Sequence, residues 1–135
     1  MTGQAFDPGE PVSYGAAGDW LEAFVRARLA DDGDGLLALF APDAEVQPDP
    51  FDAPLVGENA IRAYFGGLSE QQTQLDLTIE RHWASGSTIL AAWHASYVRR
   101  SDRAHIRQAG VLTAELRAGR CIRLRLWTLS RGPST

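Results

Sequence analysis

The side chain best suited to acid–base chemistry is Asp49, which follows a short predicted strand over residues 44–47 and lies in a proline-rich loop. Burial against apolar neighbours makes a carboxyl group hold its proton more tightly, and a group that titrates near neutral pH is an effective general acid or base. We predict that a bulge at Pro48 turns Asp49 inward against Phe51 and Tyr64. The alternative is that Asp49 only organises a turn, as aspartate often does.

The histidines and the cysteine form no metal or nucleophile motif. His82, His94 and His105 have no metal-ligand spacing with one another or with Cys121. No phosphate loop, dinucleotide fingerprint or Ser-His-Asp set occurs, so we expect no cofactor and no metal. Strand alternation places His94 on the face opposite Trp93, and Cys121 is interpreted as a small strand hydrophobe.

Apolar side chains that recur on one face of each element predict a pocket with few polar groups. Gln108 is the polar exception on its face, and it is either an amide bonded to backbone or water or a hydrogen-bonding partner of a ligand. Leu124 is expected to share the concave space. The predicted ligand-binding residues are Phe24, Phe51, Tyr64, Trp93, Gln108, Leu112 and Leu126.

The first half of the chain predicts three helices. Asp19 followed by Glu22 has the spacing of a capping box at the start of the first. The second ends at residues 42–43, where a proline occurs. The third begins at residues 57–59, and the glycine pair at 66–67 is expected to end it.

From Gln74 onward the spacing of apolar residues changes from a helical period to strict alternation. Four long strands joined by tight turns follow, which is typical of an antiparallel meander. Helices followed by such strands predict an α+β domain, with a curved, mostly antiparallel sheet around a hydrophobic pocket.

Composition limits the classes of partner. The 135 residues carry a net charge of −4, with 44% hydrophobic residues, which suits one globular domain and argues against nucleic acid. A single cysteine excludes an intrachain disulfide, and neither a signal peptide nor a membrane-spanning run is evident, so a cytoplasmic location is expected. We predict a flexible segment over residues 1–17, the domain over 18–130 and a frayed tail over 131–135.

Two segments and a turn resemble a known family. Residues 32–44 (DGDGLLALFAPDA), residues 57–65 (GENAIRAYF) and the late turn at 119–120 are similar in order and spacing to the SnoaL-like, nuclear transport factor 2-like superfamily. The resemblance implies a cone-shaped α+β barrel, with three N-terminal helices packed on a curved sheet, and commonly a dimer. Relatives include ketosteroid isomerases, polyketide cyclases, epoxide hydrolases and non-catalytic binding modules, so the fold does not settle the function.

The resemblance also permits a comparison with the isomerase site. Its general base corresponds to Asp49, but its two oxyanion donors correspond to Phe24 and to a position at or near Leu112, which have no donor group. The usual ketosteroid isomerase machinery is therefore not expected. The epoxide-hydrolase pattern needs paired acids and an arginine inside the pocket, and the long strands offer no interior acid.

Two functions remain open at this point. One is a cyclase, isomerase or lyase that acts on a small hydrophobic molecule and uses one pocket carboxylate. The other is a non-catalytic ligand-binding or dimeric assembly module of the same fold. A homodimer through the convex sheet face is expected because this face carries Arg107, Val111, Arg123, Arg125 and Trp127.

Overall fold

The computed structural model describes residues 10–133 as three helices and one six-stranded sheet. The helices are α1 (Tyr14–Ala30), α2 (Gly33–Leu37) and α3 (Glu58–Gln71). The strands are β1 (Phe40–Gln47), β2 (Leu55–Val56), β3 (Gln72–Ser85), β4 (Thr88–Arg99), β5 (His105–Arg117) and β6 (Arg120–Arg131). Because α3 follows β1 and β2, the three helices do not form one continuous N-terminal block. None of these helices combines the length and apolarity that a membrane crossing requires.

The sheet is mostly antiparallel, as the alternating pattern predicts. Its strand order is β2-β1-β6-β5-β4-β3, and β3 to β6 form the expected meander. The exception is β1, which lies parallel to β6 and pairs Val46 with Leu124. Register shifts interrupt β3 after Ile79 and the β5–β6 pairing after Glu115. Such bulges bend and twist strands, which suits a sheet that curves around its contents.

The hydrophobic core lies between the helices and the concave face of the sheet. Trp20, Leu21 and Phe24 of α1 are buried there, and the Trp20 indole N–H donates to the Leu39 carbonyl oxygen at 3.1 Å. Leu124 is fully buried in the same core cluster as Phe24, Trp93 and Leu112, and it is not among the residues that line the cavity described below.

The first helix begins earlier than predicted. Ser13 caps it, and the serine hydroxyl accepts a hydrogen bond from the Ala16 N–H at 3.0 Å, so Asp19 lies inside the helix. Ala17 is completely buried, which explains why the helix extends beyond the predicted start. The predicted flexible segment therefore overlaps α1. Residues 1–9 of that segment, like residues 134–135 of the predicted tail, lie outside the described residues.

Two predicted helix ends are also corrected. The α3 helix continues through the glycine pair at 66–67 to Gln71, since Phe65 and Leu68 on either side of the pair pack inward. Burial of a helix face outweighs the low helix propensity of glycine. The second helix ends at Leu37, and Pro42 lies within β1, where a register irregularity interrupts the pairing with β6.

Candidate functional site

A cavity of about 110 Å³ lies between helices α1 and α3 and the concave face of the sheet. Its lining is mainly apolar and aromatic, and the polar groups gather in a few side chains. The residues that line it are Phe24, Arg28, Tyr64, Phe65, Leu68, Gln72, Leu75, Leu77, Ile79, Trp93, Ala95, Gln108, Leu112, Leu126 and Thr128.

Residues paired across neighbouring strands form the floor of the cavity. Leu112 of β5 pairs with Leu126 of β6. Two residues earlier on β5, Gly110 faces the same side of the sheet and pairs with Trp93 of β4. Directly paired residues share a sheet face, so these side chains must meet. A Cβ at Gly110 would lie 3.0 Å from the Trp93 ring, so the absence of a side chain there makes room for the indole. The indole N–H of Trp93 is buried and has no hydrogen-bond partner among the described residues.

The helices place Arg28 at the cavity. Arg28 lies one turn after Phe24 on α1, so the two side chains project from the same helix face. Its Nη2 donates to Gln72 Oε1 at 2.9 Å, and the guanidinium carbon lies 5.5 Å from the centroid of the Phe65 ring. Burial lowers the pKa of Arg28, while the nearby Tyr64 and Asp31 act in the opposite direction. None of the ion pairs within residues 10–133 includes Arg28.

Tyr64 and Gln108 supply neutral polar groups. Burial raises the pKa of Tyr64, and the Arg28 charge opposes that rise only in part. The phenol therefore stays protonated at neutral pH and can donate a hydrogen bond. Gln108 Nε2 donates to Ser130 Oγ at 3.0 Å, a side chain on the neighbouring strand. A further bond from this amide to water or to a ligand stays a prediction.

The structure brings six of the seven predicted ligand-binding residues into this one cavity. These are Phe24, Tyr64, Trp93, Gln108, Leu112 and Leu126. The seventh, Phe51, is 95% exposed and lies in the loop after β1, so its predicted place in the pocket is wrong.

Asp49 does not lie in the cavity. Its side chain is exposed, its Oδ1 accepts a hydrogen bond from the Phe51 N–H at 2.9 Å, and its carbonyl oxygen accepts one from the Asp52 N–H at 3.1 Å. The predicted inward bulge is therefore wrong, and the turn-forming alternative describes the position of Asp49. The part of the chain that the structure describes places no aspartate, glutamate or histidine in the cavity lining.

Several lining residues were missed at the level of sequence. Arg28 could have been found from its one-turn spacing after Phe24, since a helix places such residues on the same face. Thr128 follows the inward alternation of β6 after Leu126, and it lines the cavity as that alternation requires. Gln72 gave no signal, because it stands at the junction of α3 and β3, where neither period applies.

The other candidate groups lie away from the cavity. His94 is exposed on the convex face, as strand alternation predicted, with Nδ1 2.6 Å from Glu80 Oε2. Burial raises the pKa of the Cys121 thiol to about 12, so the thiolate is scarce at neutral pH and the residue behaves as a core hydrophobe. No cluster of three potential metal ligands occurs in residues 10–133.

The fold has clear relatives among solved structures. Rv0760c from Mycobacterium tuberculosis superposes with a TM-score of 0.77 at 20% identity, covering 90% of this chain and 98% of that one. That protein has also been solved in complex with estradiol-17beta-hemisuccinate, with a TM-score of 0.72 at 22% identity over 83% of this chain and 92% of the other.

Two further structures carry enzyme descriptions. A putative SnoaL-like polyketide cyclase from Jannaschia sp. CCS1 has a TM-score of 0.77 at 15% identity, covering 93% of this chain and 91% of that one. An epoxide hydrolase of the LEH-like type from M. tuberculosis has a TM-score of 0.72 at 16% identity, covering 85% of this chain and 84% of the other. At these identities the likeness concerns the fold alone.

Sequence comparison gives the family. A search of curated proteins finds no match. The model of the SnoaL-like domain matches residues 21–124, which include most of α1, all of α2 and α3, and the sheet as far as the middle of β6. The match spans more than half of the chain, and the chain belongs to the SnoaL-like domain family.

Proposed function

We propose that this protein binds a small hydrophobic organic molecule in the cavity between α1, α3 and the sheet. The observation that carries the proposal is an apolar cavity with a few convergent polar groups, which is the usual form of a small-molecule site. The complex of Rv0760c with estradiol-17beta-hemisuccinate supports it, because a protein of the same fold takes up an organic ligand with a steroid body.

The size of the cavity limits the ligand. At about 110 Å³ it is smaller than the roughly 300 Å³ or more of pockets for drug-sized molecules. It is closer to engineered apolar cavities of about 150 Å³, which bind benzene. An apolar part about the size of one ring is therefore the best match to this cavity, and a steroid body is larger than its volume.

Of the two open functions, we favour ligand binding over catalysis by a carboxylate. The catalytic hypothesis depends on Asp49 in an enclosed pocket, and Asp49 is exposed in a turn. The cavity of the described chain presents Arg28 and Tyr64 as its ionisable groups, and neither is a base at neutral pH. An acid–base cycle on a carboxylate has no residue to perform it here.

Filling the cavity should abolish binding. We expect Leu112→Trp to weaken the binding of toluene by about 10-fold or more, since the larger ring occupies the space that the ligand needs. The measurement is ligand-observed NMR titration of the folded protein. Leu90→Trp is the matched control, because Leu90 lies on the opposite face of the sheet and is 40% exposed.

The unfolding temperature of each variant shows whether it is folded, and Leu126→Trp is a second filling variant should Leu112→Trp prove too unstable. Toluene bound equally well by the wild type, the filling variants and the control would show that the site lies elsewhere. No binding of toluene to the wild type would contradict the proposal directly.

We also propose that the convex sheet face pairs two copies of the chain. Val111 pairs with Trp127 there, and Leu129 in the next row is 79% exposed. Arg125 stacks over the Trp127 ring at 5.0 Å, which presents a flat apolar and cationic surface. A face with both exposed apolar groups and opposite charges, such as Arg107 and Glu80, suits a two-fold symmetric contact.

Light scattering at micromolar concentration tests the pairing. We expect a mass twice the 14.7 kDa of one chain, and we expect Val111→Glu to give the mass of a single chain because it introduces a repelling charge into both halves of the contact. Leu29→Glu on α1 is the control and should leave the dimer intact. A wild-type protein with the mass of one chain would exclude this interface.

A further inference from the structure

Arg28 is a charged group in a mainly apolar cavity lining. It is partly buried, and desolvation is the main influence on its pKa. Nη2 of its guanidinium donates a hydrogen bond to the neutral amide oxygen of Gln72. The ring of Phe65 covers one side of the group. These neighbours position the guanidinium and leave its positive charge without a bonded anion.

Four arginines of the described chain, Arg26, Arg62, Arg99 and Arg123, form an ion pair with a carboxylate at solvent-accessible positions. Arg28 is not among them, and burial is the main influence on its pKa. Water stabilises an exposed charge, whereas a charge that is partly withdrawn from water gains more from a direct partner. Arg28 would thus gain from a bound anion, and it lines the cavity where a ligand could supply one.

We propose that the cavity binds an organic carboxylate, with the carboxylate paired to Arg28 and an apolar body about the size of one ring packed against Trp93 and Leu112. This inference rests on the proposed function and names the chemical class of its ligand. A guanidinium offers a planar fork of donors that matches a carboxylate in a bidentate pair. Gln72 fixes the direction of the fork from one side.

Tyr64 strengthens the site as a neutral donor. Its phenol lines the same cavity and lies close enough to Arg28 for their charges to interact. Since burial keeps this phenol protonated, it can donate a hydrogen bond to the second oxygen of a carboxylate without adding a negative charge. The same side chains give a neutral ligand a smaller gain, because it brings no full negative charge to pair with the guanidinium.

A structural role for Arg28 is the alternative. The residue lies in the last turn of α1, where a cation interacts favourably with the partial negative charge of the helix end. Its stem also covers part of the Phe65 ring. If this were its whole role, the cavity would not distinguish a carboxylate from a neutral compound of the same shape.

Phenylacetate and phenylacetamide test the inference, since they differ mainly in charge. We expect the wild type to bind phenylacetate about 10-fold or more tightly than phenylacetamide. Arg28→Met, which keeps the length of the side chain, should remove this preference by weakening phenylacetate while leaving phenylacetamide within about threefold. Arg28→Lys should retain part of the preference, because lysine keeps the charge without the planar fork.

Arg26→Met is the matched control. Arg26 lies on the exposed side of the same helix and pairs with Glu22, so its loss should leave both affinities unchanged. Equal binding of acid and amide by the wild type would overturn the inference and leave the proposed function standing. Phenylacetate binding that survives Arg28→Met would do the same. If neither compound nor toluene binds to the wild type, the inference and the proposed function both fall.

Discussion

Replacing Leu124 with alanine should lower the free energy of unfolding by about 2–5 kcal/mol, as for other large-to-small changes in closed cores. Leu124 is fully buried in β6, and its neighbours in the sheet are Val46 in the parallel β1 and Ala114 in the antiparallel β5. Both neighbours are themselves buried, so they cannot move far enough to fill the space that the lost methyl groups leave.

Leu29→Ala provides the control for this measurement. Leu29 is 48% exposed on α1, and leucine and alanine have similar helix propensities, so a change within about 0.5 kcal/mol is expected. Urea denaturation of both variants, followed by circular dichroism, gives the comparison. A Leu124→Ala variant as stable as Leu29→Ala would mean that β1 and β6 are not packed as described.

Gly110→Ala should destabilise the protein by at least about 1–3 kcal/mol, which is the usual cost of overpacking. A Cβ at this position would collide with the Trp127 carbonyl oxygen of β6 and would lie 3.0 Å from the Trp93 ring. The carbonyl is backbone of the adjacent strand, so relief requires β5 and β6 to shift apart. The same shift would press the indole into the cavity, and we expect toluene binding to weaken as well.

Gly66→Ala should change the stability in the opposite direction from Gly110→Ala. Gly66 lies inside α3, and a Cβ there would meet nothing within 4 Å, so alanine should raise the stability by about 0.5–1 kcal/mol. Thermal unfolding of the two variants side by side separates the effect of crowding from that of backbone entropy. Two changes of the same sign would contradict the close approach of β5 and β6 at Gly110.

The long strands were predictable because alternation is a local property. Ile106, Gln108 and Leu112 were assigned to one face of β5 from their spacing alone, and all three are more buried than their neighbours on the strand. The same rule placed His94 outward and Trp93 inward on β4. Each side chain of a strand alternates regardless of what the rest of the chain does, so no tertiary information was needed.

Helix ends were less predictable, because they depend on what the helix packs against. Serine and aspartate are both good helix caps, so residue type alone does not choose between Ser13 and Asp19. The cap is Ser13, because the longer helix buries Ala17. The glycine pair at 66–67 has the local character of a helix end, yet the helix continues because Leu68 reaches the core. The packing energies that override these local helix-end preferences come from residues far away in the chain.

The α+β class, the inward faces of the long strands and part of the apolar lining of the cavity were predictable from the residues alone, since these follow from periods of a few residues. The polar groups that reach that cavity depend on how distant elements pack. Asp49 has the better chemistry for catalysis but leaves the sheet at a turn, whereas Arg28 and Gln72 come from separate elements that meet only when α1 packs beside the junction of α3 and β3. Their meeting depends on packing between distant segments, which no local pattern encodes.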